Sequence, residues 1–373
     1  MREFVDGSKV IVRAAIDAGC NFFAGYPITP ATEILLHMMR ELPRVGGIAI
    51  QGEDEIASIG FCLGAAMSGA KVMTATSGPG ISLYSENIGL AIMSEVPLVI
   101  VDCQRMGPAT GGATTGAQGD IQFLRWGTSG GYPVIALAPA DLLDCYRLTQ
   151  QAFNLAERFR VPVFLATDKE LVTMNACVDL DAYQKLPILQ RPQLPGDRPF
   201  AIFDPSHLDQ VMPMSHYGGP HLVRFMTSSH DERGYLTKDP AKVGRLNRHL
   251  AAKIEEHLDE ISLVQADMEQ GAETLIISYG ITVRTVKEAI LRARRDGRRV
   301  SSLTIHCLWP VPEKAIRDAL RGVRRVLVAE LNLGQYQCEI ERLTCGSVEV
   351  IGIHRVDGEL ISPEEILRQG GWQ

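Results

Sequence analysis

Short apolar runs alternate with amphipathic stretches through the first half of the chain. Runs at 21–24, 47–50, 71–76, 98–101, 133–136 and 163–167 are the right length for buried strands, and helical patterns fill the gaps, as at 80–94 and 140–159. Strands separated by helices of that length predict a parallel, doubly wound α/β sheet over residues 1–178. The pattern then changes. Pro187, Pro192, Pro195, Pro199, Pro205, Pro213 and Pro220 punctuate the next stretch. Residues 179–264 therefore read as a Pro-rich connector, expected to pack over both neighbours and closed by a helical run at 241–261. Residues 265–373 read as a second α/β unit. Its strands are expected at 274–279, 300–308, 325–329 and 348–352, with helices at 282–295, 312–320 and 335–343. No repeat of solenoid length interrupts this order.

Composition narrows the function classes. The chain has 373 residues, 46% of them hydrophobic and 22% charged, enough for two or three domains with sizeable cores. A formal charge of −7 offers no basic surface for nucleic acid. No apolar run reaches the roughly eighteen residues a membrane span needs, and the first residues lack the apolar core of a signal peptide. The eight cysteines include no Cys-x-x-Cys pair, so neither an iron–sulfur nor a zinc site is expected in this chain. Most of them sit in apolar stretches and read as small core residues of a cytoplasmic protein. The spacing of the nine histidines matches no metal motif.

Three segments carry candidate chemistry. Tyr26-Pro27-Ile28-Thr29-Pro30 follows a predicted strand and precedes a helical pattern. Its two prolines fix φ and push the residues before them toward extended geometry, which holds Thr29 on a rigid strand-to-helix loop. Such loops lie at the carboxyl ends of parallel strands, where ligands bind; a stiff turn without chemistry is the plain alternative. Glu53-Asp54-Glu55 opens a helix carrying small residues at Gly60, Gly64 and Ser68, a stripe that admits close approach of another helix. Carboxylates at a helix start also serve the helix dipole alone. Finally, the apolar run 98–101 leads into Arg105, and a loop rich in glycine and threonine follows, through Thr110 and Thr114 to Gln118-Gly119-Asp120. A guanidinium fork suits a carboxylate ligand, and pairing with Asp120 or Glu55 for structure is the alternative.

The ordered set resembles the alpha subunit of the 2-oxoacid:ferredoxin oxidoreductases, which use thiamine diphosphate. It comprises Tyr-Pro-Ile-Thr-Pro near residue 30, Glu-x4-Gly-x3-Gly, a strand ending in Arg105, and Gln-Gly-Asp. The resemblance runs over nearly the whole chain, through the 74–80 loop and Glu330-Leu331-Asn332-Leu333-Gly334-Gln335, and Ser229-His230-Asp231-Glu232-Arg233-Gly234 is most similar to the 2-oxoglutarate branch. It implies a doubly wound thiamine-diphosphate pyrimidine-binding domain at 1–178 and a transketolase C-terminal-like α/β domain at 265–373. It implies that Glu55, favoured over Glu53 and Asp54 by the glycine spacing, shares a proton with the cofactor's aminopyrimidine as the catalytic residue. Tyr26, Pro27 and Ile28 would line the cofactor, Thr29 and Arg105 would hold the substrate carboxylate, and Thr110 and Thr114 would face its side chain. No Gly-Asp-Gly segment occurs in the chain, so the diphosphate and Mg²⁺ site, with a [4Fe-4S] cluster, is expected in a beta subunit. Small gamma and delta subunits, ferredoxin and coenzyme A complete the expected partners. The implied reaction is oxidative decarboxylation of 2-oxoglutarate to succinyl-CoA. Pyruvate or branched-chain 2-oxoacids are the competing substrates, and a noncatalytic assembly or regulatory subunit is the reading from another class.

Overall fold

In the computed structural model, residues 2–180, 186–191 and 201–372 are described; Pro192, Pro195 and Pro199 of the connector lie outside them. The strands are β1 (Glu3–Asp6), β2 (Phe22–Gly25), β3 (Ile48–Gln51), β4 (Val72–Thr76), β5 (Leu98–Gln104), β6 (Ile135–Leu137), β7 (Pro162–Asp168), β8 (Asn175–Val178), β9 (Val264–Asp267), β10 (Thr274–Ser278), β11 (Ser301–Ile305), β12 (Cys307–Trp309), β13 (Arg325–Glu330) and β14 (Glu349–His354). A seven-stranded sheet runs β12-β6-β7-β5-β4-β2-β3, and a five-stranded one runs β14-β13-β10-β11-β9. Strands β4, β5 and β7 are buried along their whole length. That explains their unbroken apolar reading, since helices cover both faces of a parallel sheet. Helices Gly7–Asp17, Thr32–Glu41 and Leu142–Phe159 pack on one face, and Glu55–Met67 and Gly78–Met93 on the other.

From β2 the chain first moves outward to β3 and then back across β2 to β4 and β5, all in parallel pairing. The reversal opens a crevice at the carboxyl ends of β2 and β4, where open α/β sheets bind ligands. The 26–30 loop and the start of helix Gly78–Met93 flank it.

The expected strand at 300–308 is two strands. β11 stays in the second sheet, while β12 crosses over and pairs antiparallel with β6, matching Cys307 to Leu137. His306 makes the step between them: its amide donates to Leu263 and its carbonyl accepts from Ala138. The expected helix at 241–261 is also divided, into Pro240–Glu255 and Leu258–Ile261. Among the described residues no helix approaches the small-residue stripe at Gly60 and Gly64. Helix Glu55–Met67 buries Ser58, Ile59, Cys62, Leu63 and Ala66. Gly60 and Gly64 face outward, and a Cβ at either would meet nothing within 4 Å.

The described part of the connector is fastened to the first unit by a buried charge cluster. Glu95 accepts from Lys253 Nζ at 2.9 Å and lies 3.0 Å from His249 Nε2. Arg160 donates to the carbonyls of Glu95, Ile202 and Met212. All four side chains are buried.

Candidate active site

Three neighbouring carboxylates at the start of helix Glu55–Met67 have three different environments. Asp54 is the N-cap, accepting from the amide of Ala57 at 2.7 Å. Glu53 is exposed. Glu55 is 7% exposed and turns inward. Its neighbour is the first turn of helix Gly78–Met93: a Cβ added to Gly80 would lie 2.8 Å from Glu55 Cγ and 1.9 Å from Thr76 Oγ1. Only glycine fits there. Thr76 Oγ1 and Ser77 Oγ, beside this carboxyl stem, are buried with no hydrogen-bond partner among the described residues.

Arg105 follows β5 and is 6% exposed. Its Nη1 donates to the carbonyl of Thr29 at 2.6 Å and its Nη2 to that of Thr110 at 3.2 Å. One guanidinium thus joins the 26–30 loop to the glycine–threonine loop. Among the described residues it forms no ion pair with Asp120 or Glu55. The side chains of Thr29, Thr110, Thr114 and Pro27 are exposed, and those of Tyr26 and Ile28 half-buried. Thr29-Pro30 and Gly107-Pro108 are cis. The loop after Arg105 folds back on itself: Met106 donates to the carbonyl of Thr115, and Gly112 donates to that of Met106. Gly111 has φ +46°, and a Cβ there would fall 1.9 Å from Met106 O. Beside it opens a cleft of about 440 Å³, whose walls include Arg105, Gly78, Ser82, Asp120 and Phe123. A Cβ at Gly78 would lie 3.0 Å from Asp120 Oδ1. The first turn of helix Gly78–Met93 is therefore a common floor, with Glu55 against one side and Asp120 and Arg105 against the other. The structure brings Thr29, Arg105 and Thr110 together and gives Thr114 no bond to them.

Sequence reasoning passed over Asp102 and Asp168 behind this loop, and named Asp120 only as a possible partner of Arg105. Asp102 pairs in register with Thr76 on β4 and is fully buried, and neither carboxyl oxygen has a partner among the described residues. Burial, reinforced by the charge of Asp120, holds its pKa well above the carboxylate range. Asp120 is pushed up to about 6 by burial, against the pull of Arg105. Asp168, at the end of β7, is pushed to about 6 by burial, although Ile281, Leu171 and Gln118 all donate to it. For Asp102 and Asp168 the one available signal was position at the carboxyl ends of apolar runs, whereas Asp120 follows the glycine–threonine loop and precedes helix Ile121–Trp126. Among the described residues no group of three or more His, Cys, Asp or Glu side chains could hold a metal ion.

A family model described as pyruvate flavodoxin/ferredoxin oxidoreductase, thiamine diP-binding, matches residues 13–247, and one described as pyruvate:ferredoxin oxidoreductase core domain II matches residues 272–366. The 2-oxoglutarate synthase subunit KorA of Methanothermobacter thermautotrophicus is 42% identical over 365 residues, covering 98% of this chain and 96% of that protein. A solved 2-oxoglutarate:ferredoxin oxidoreductase from Magnetococcus marinus, with 2-oxoglutarate, coenzyme A and succinyl-CoA bound, superposes with a TM-score of 0.94 at 32% identity, and the alignment covers 99% of this chain and 65% of that one. A split-gene transketolase superposes with a TM-score of 0.55 at 12% identity, a likeness of fold. With a thiamine-diphosphate-binding first unit and a transketolase-like α/β architecture, this chain belongs to the 2-oxoacid:ferredoxin oxidoreductases, as an alpha subunit on their 2-oxoglutarate branch.

Proposed function

We propose that this chain supplies the pyrimidine half of a thiamine diphosphate site in an enzyme that oxidatively decarboxylates 2-oxoglutarate to succinyl-CoA and passes the electrons to ferredoxin. The carrying observation is the buried Glu55 carboxyl beside Gly80, where a Cβ would fill the space, with the unspent hydroxyls of Thr76 and Ser77 alongside. Those residues fit a flat, polar heterocycle. When bound, the cofactor supplies a carbon nucleophile and an electron sink. Glu55 would hold and return a proton at a ring nitrogen of the bound cofactor. Tyr26, Pro27 and Ile28 border the ring. Thr29 and Arg105 hold the substrate carboxylate, and Thr110 and Thr114 stand toward its side chain. Arg105 has N–H groups to spare for this after its two carbonyl bonds.

The division at 1–178, 179–264 and 265–373 follows the same reading: pyrimidine-binding domain, connector and transketolase C-terminal-like domain. A beta subunit carries the diphosphate and Mg²⁺ site and a [4Fe-4S] cluster, with small gamma and delta subunits completing the assembly and coenzyme A accepting the acyl group. All eight cysteines are free thiols, in keeping with a reducing cytoplasm, and no described helix is long and apolar enough to cross a membrane. Co-expression with the beta subunit, followed by assay of ferredoxin reduction with 2-oxoglutarate, pyruvate and 2-oxoisovalerate, tests the reading. Preference for 2-oxoglutarate is expected. Preference for pyruvate overturns the substrate, and no turnover with any of the three overturns the activity.

A further inference from the structure

The loop that carries Arg105 is bounded at its far end by Gln118-Gly119-Asp120, and that end is fastened to the second sheet. Gln118 is 1% exposed. Its amide donates to the carbonyl of Leu331 at 2.9 Å, and its Oε1 accepts from the amide of Leu331 at 3.2 Å. Its Nε2 donates to Asp168 Oδ2 at 3.1 Å and to the carbonyl of Tyr279 at 3.4 Å. Asn332 completes the clasp: its Nδ2 donates to the carbonyl of Gln118 at 2.7 Å and lies 2.8 Å from the Tyr279 hydroxyl. Gln335 Nε2 donates to the carbonyl of Gly119 at 2.6 Å. Fit is tight around these bonds. A Cβ at Gly280 would lie 2.1 Å from Gln118 Nε2, and one at Gly358 would lie 2.0 Å from Thr115 Cγ2.

Fastenings to the first unit are fewer. Gln118 Nε2 reaches Asp168 at the end of β7, Asp120 donates its amide to Gln104 Oε1 at 3.1 Å, and Arg105 reaches Thr29. The bonds of Met106, Gly112 and Thr115 stay within the loop. Buried, fully satisfied networks of this kind fix geometry more than they add net stability.

We infer that Gln118, Asn332 and Gln335 are positioning residues, and that through them the C-terminal domain sets the place of the Arg105 loop over the substrate. The inference rests on the proposed role of Arg105 in holding a 2-oxoacid. Asn332 also orders its own turn, through Oδ1 accepting from Gly334 and Gln335. Asn332→Asp keeps that acceptor and removes the amide donor that serves both the carbonyl of Gln118 and the Tyr279 hydroxyl. Gln335→Glu likewise keeps the bond from the amide of Gln122 and removes the donor to Gly119.

The test uses both variants in the complex with the beta subunit and reads two quantities. Steady-state kinetics with 2-oxoglutarate are expected to show KM raised roughly tenfold with kcat little changed, the loss of a hydrogen bond that orients the binding loop. Hydrogen exchange is expected to quicken at Met106, Gly112, Thr115 and Gln118 while β5 and the second sheet keep their protection. Unchanged KM with unchanged loop exchange in both variants overturns the inference. So does a fall in kcat at constant KM with exchange rising throughout the second sheet, which is the signature of a structural bond alone. If the wild-type complex turns over no 2-oxoacid, the functional reading fails by itself, and the exchange data still decide whether the clasp holds the loop.

Discussion

Glu53, Asp54 and Glu55 are adjacent in sequence and chemically alike, yet only Glu55 is turned into the protein; Asp54 is spent on the helix cap and Glu53 faces water. Glu55→Gln keeps the shape and a hydrogen bond but cannot exchange a proton. Activity of the assembled enzyme is expected to fall about 10²–10⁴-fold with the complex intact, whereas Glu53→Gln leaves it nearly unchanged. Rates of the two purified complexes compared side by side check this, and inactivity of Glu53→Gln instead moves the role by two residues. The acids behind Arg105 make a second residue-scale expectation. Burial, outweighing the pull of Arg105, pushes the Asp120 carboxyl up to about 6, above the 3.8 of an ordinary aspartate. A raised carboxyl pKa stabilises the fold fully below the unfolded value, and that contribution is lost as pH rises through the folded one. Wild type is therefore expected to lose stability between pH 4 and 7, by up to about 3 kcal/mol for two pKa units. Asp120→Asn is expected to flatten that slope in urea titrations. An unchanged slope refutes the assignment.

At the scale of elements, the connector is held by charge. Glu95 is buried, and the neighbouring Lys253, Arg160 and His249 hold its carboxyl well below the usual range against the cost of burial. A depressed carboxyl pKa contributes stability above the unfolded value, near 4.5, and that contribution is lost as pH falls. Lys253→Met leaves the carboxylate short of a partner and is expected to cost about 3–5 kcal/mol at neutral pH. Adding Glu95→Gln is expected to recover part of that loss, a coupling that denaturant curves of the single and double variants measure. None of this was visible in the sequence, because Glu95 and Lys253 belong to separate stretches that read as an ordinary turn and an ordinary helix. Strands β2 to β7 were visible to within a few residues, and in β4, β5 and β7 burial along the whole length accounts for it. β9 was not, because its side chains are half-buried or exposed and carry no pattern. The break before β12 was not either, because Leu303 to Trp309 reads as one apolar run and only pairing with β6 divides it. The same contrast holds at the site. The 26–30 loop, Glu55 and Arg105 announce themselves through rigid turns, position at strand ends and resemblance to a family. The Gln118–Asn332 clasp joins residues from the two halves of the chain and exists only once the sheets are docked.

For the whole molecule, the proposed function makes the chain one half of a shared cofactor site. β3 is an edge strand of the seven-stranded sheet, and Ile48 on it is exposed. Ile56 and Phe61 on the adjoining helix are exposed as well, beside the open Gly60 and Gly64 face. Apolar surface and an unpaired edge beside a binding crevice are normally covered in the working assembly. The chemistry is one-sided in the same way. Glu55, Thr29 and Arg105 stand around the crevice, but the chain has no Gly-Asp-Gly segment to hold a diphosphate and Mg²⁺. A pyrimidine alone offers few contacts, and most of the cofactor's charge lies in its diphosphate, so on the proposed half-site reading this chain by itself captures only a minor share of the binding free energy. Calorimetric titration of the purified chain with thiamine diphosphate and Mg²⁺ is expected to show a Kd weaker than about 1 μM, and the complex with the beta subunit to bind far more tightly. The isolated chain is expected to show no ferredoxin reduction. Submicromolar binding by the chain alone sinks the half-site reading, because that reading places the diphosphate site on the beta subunit.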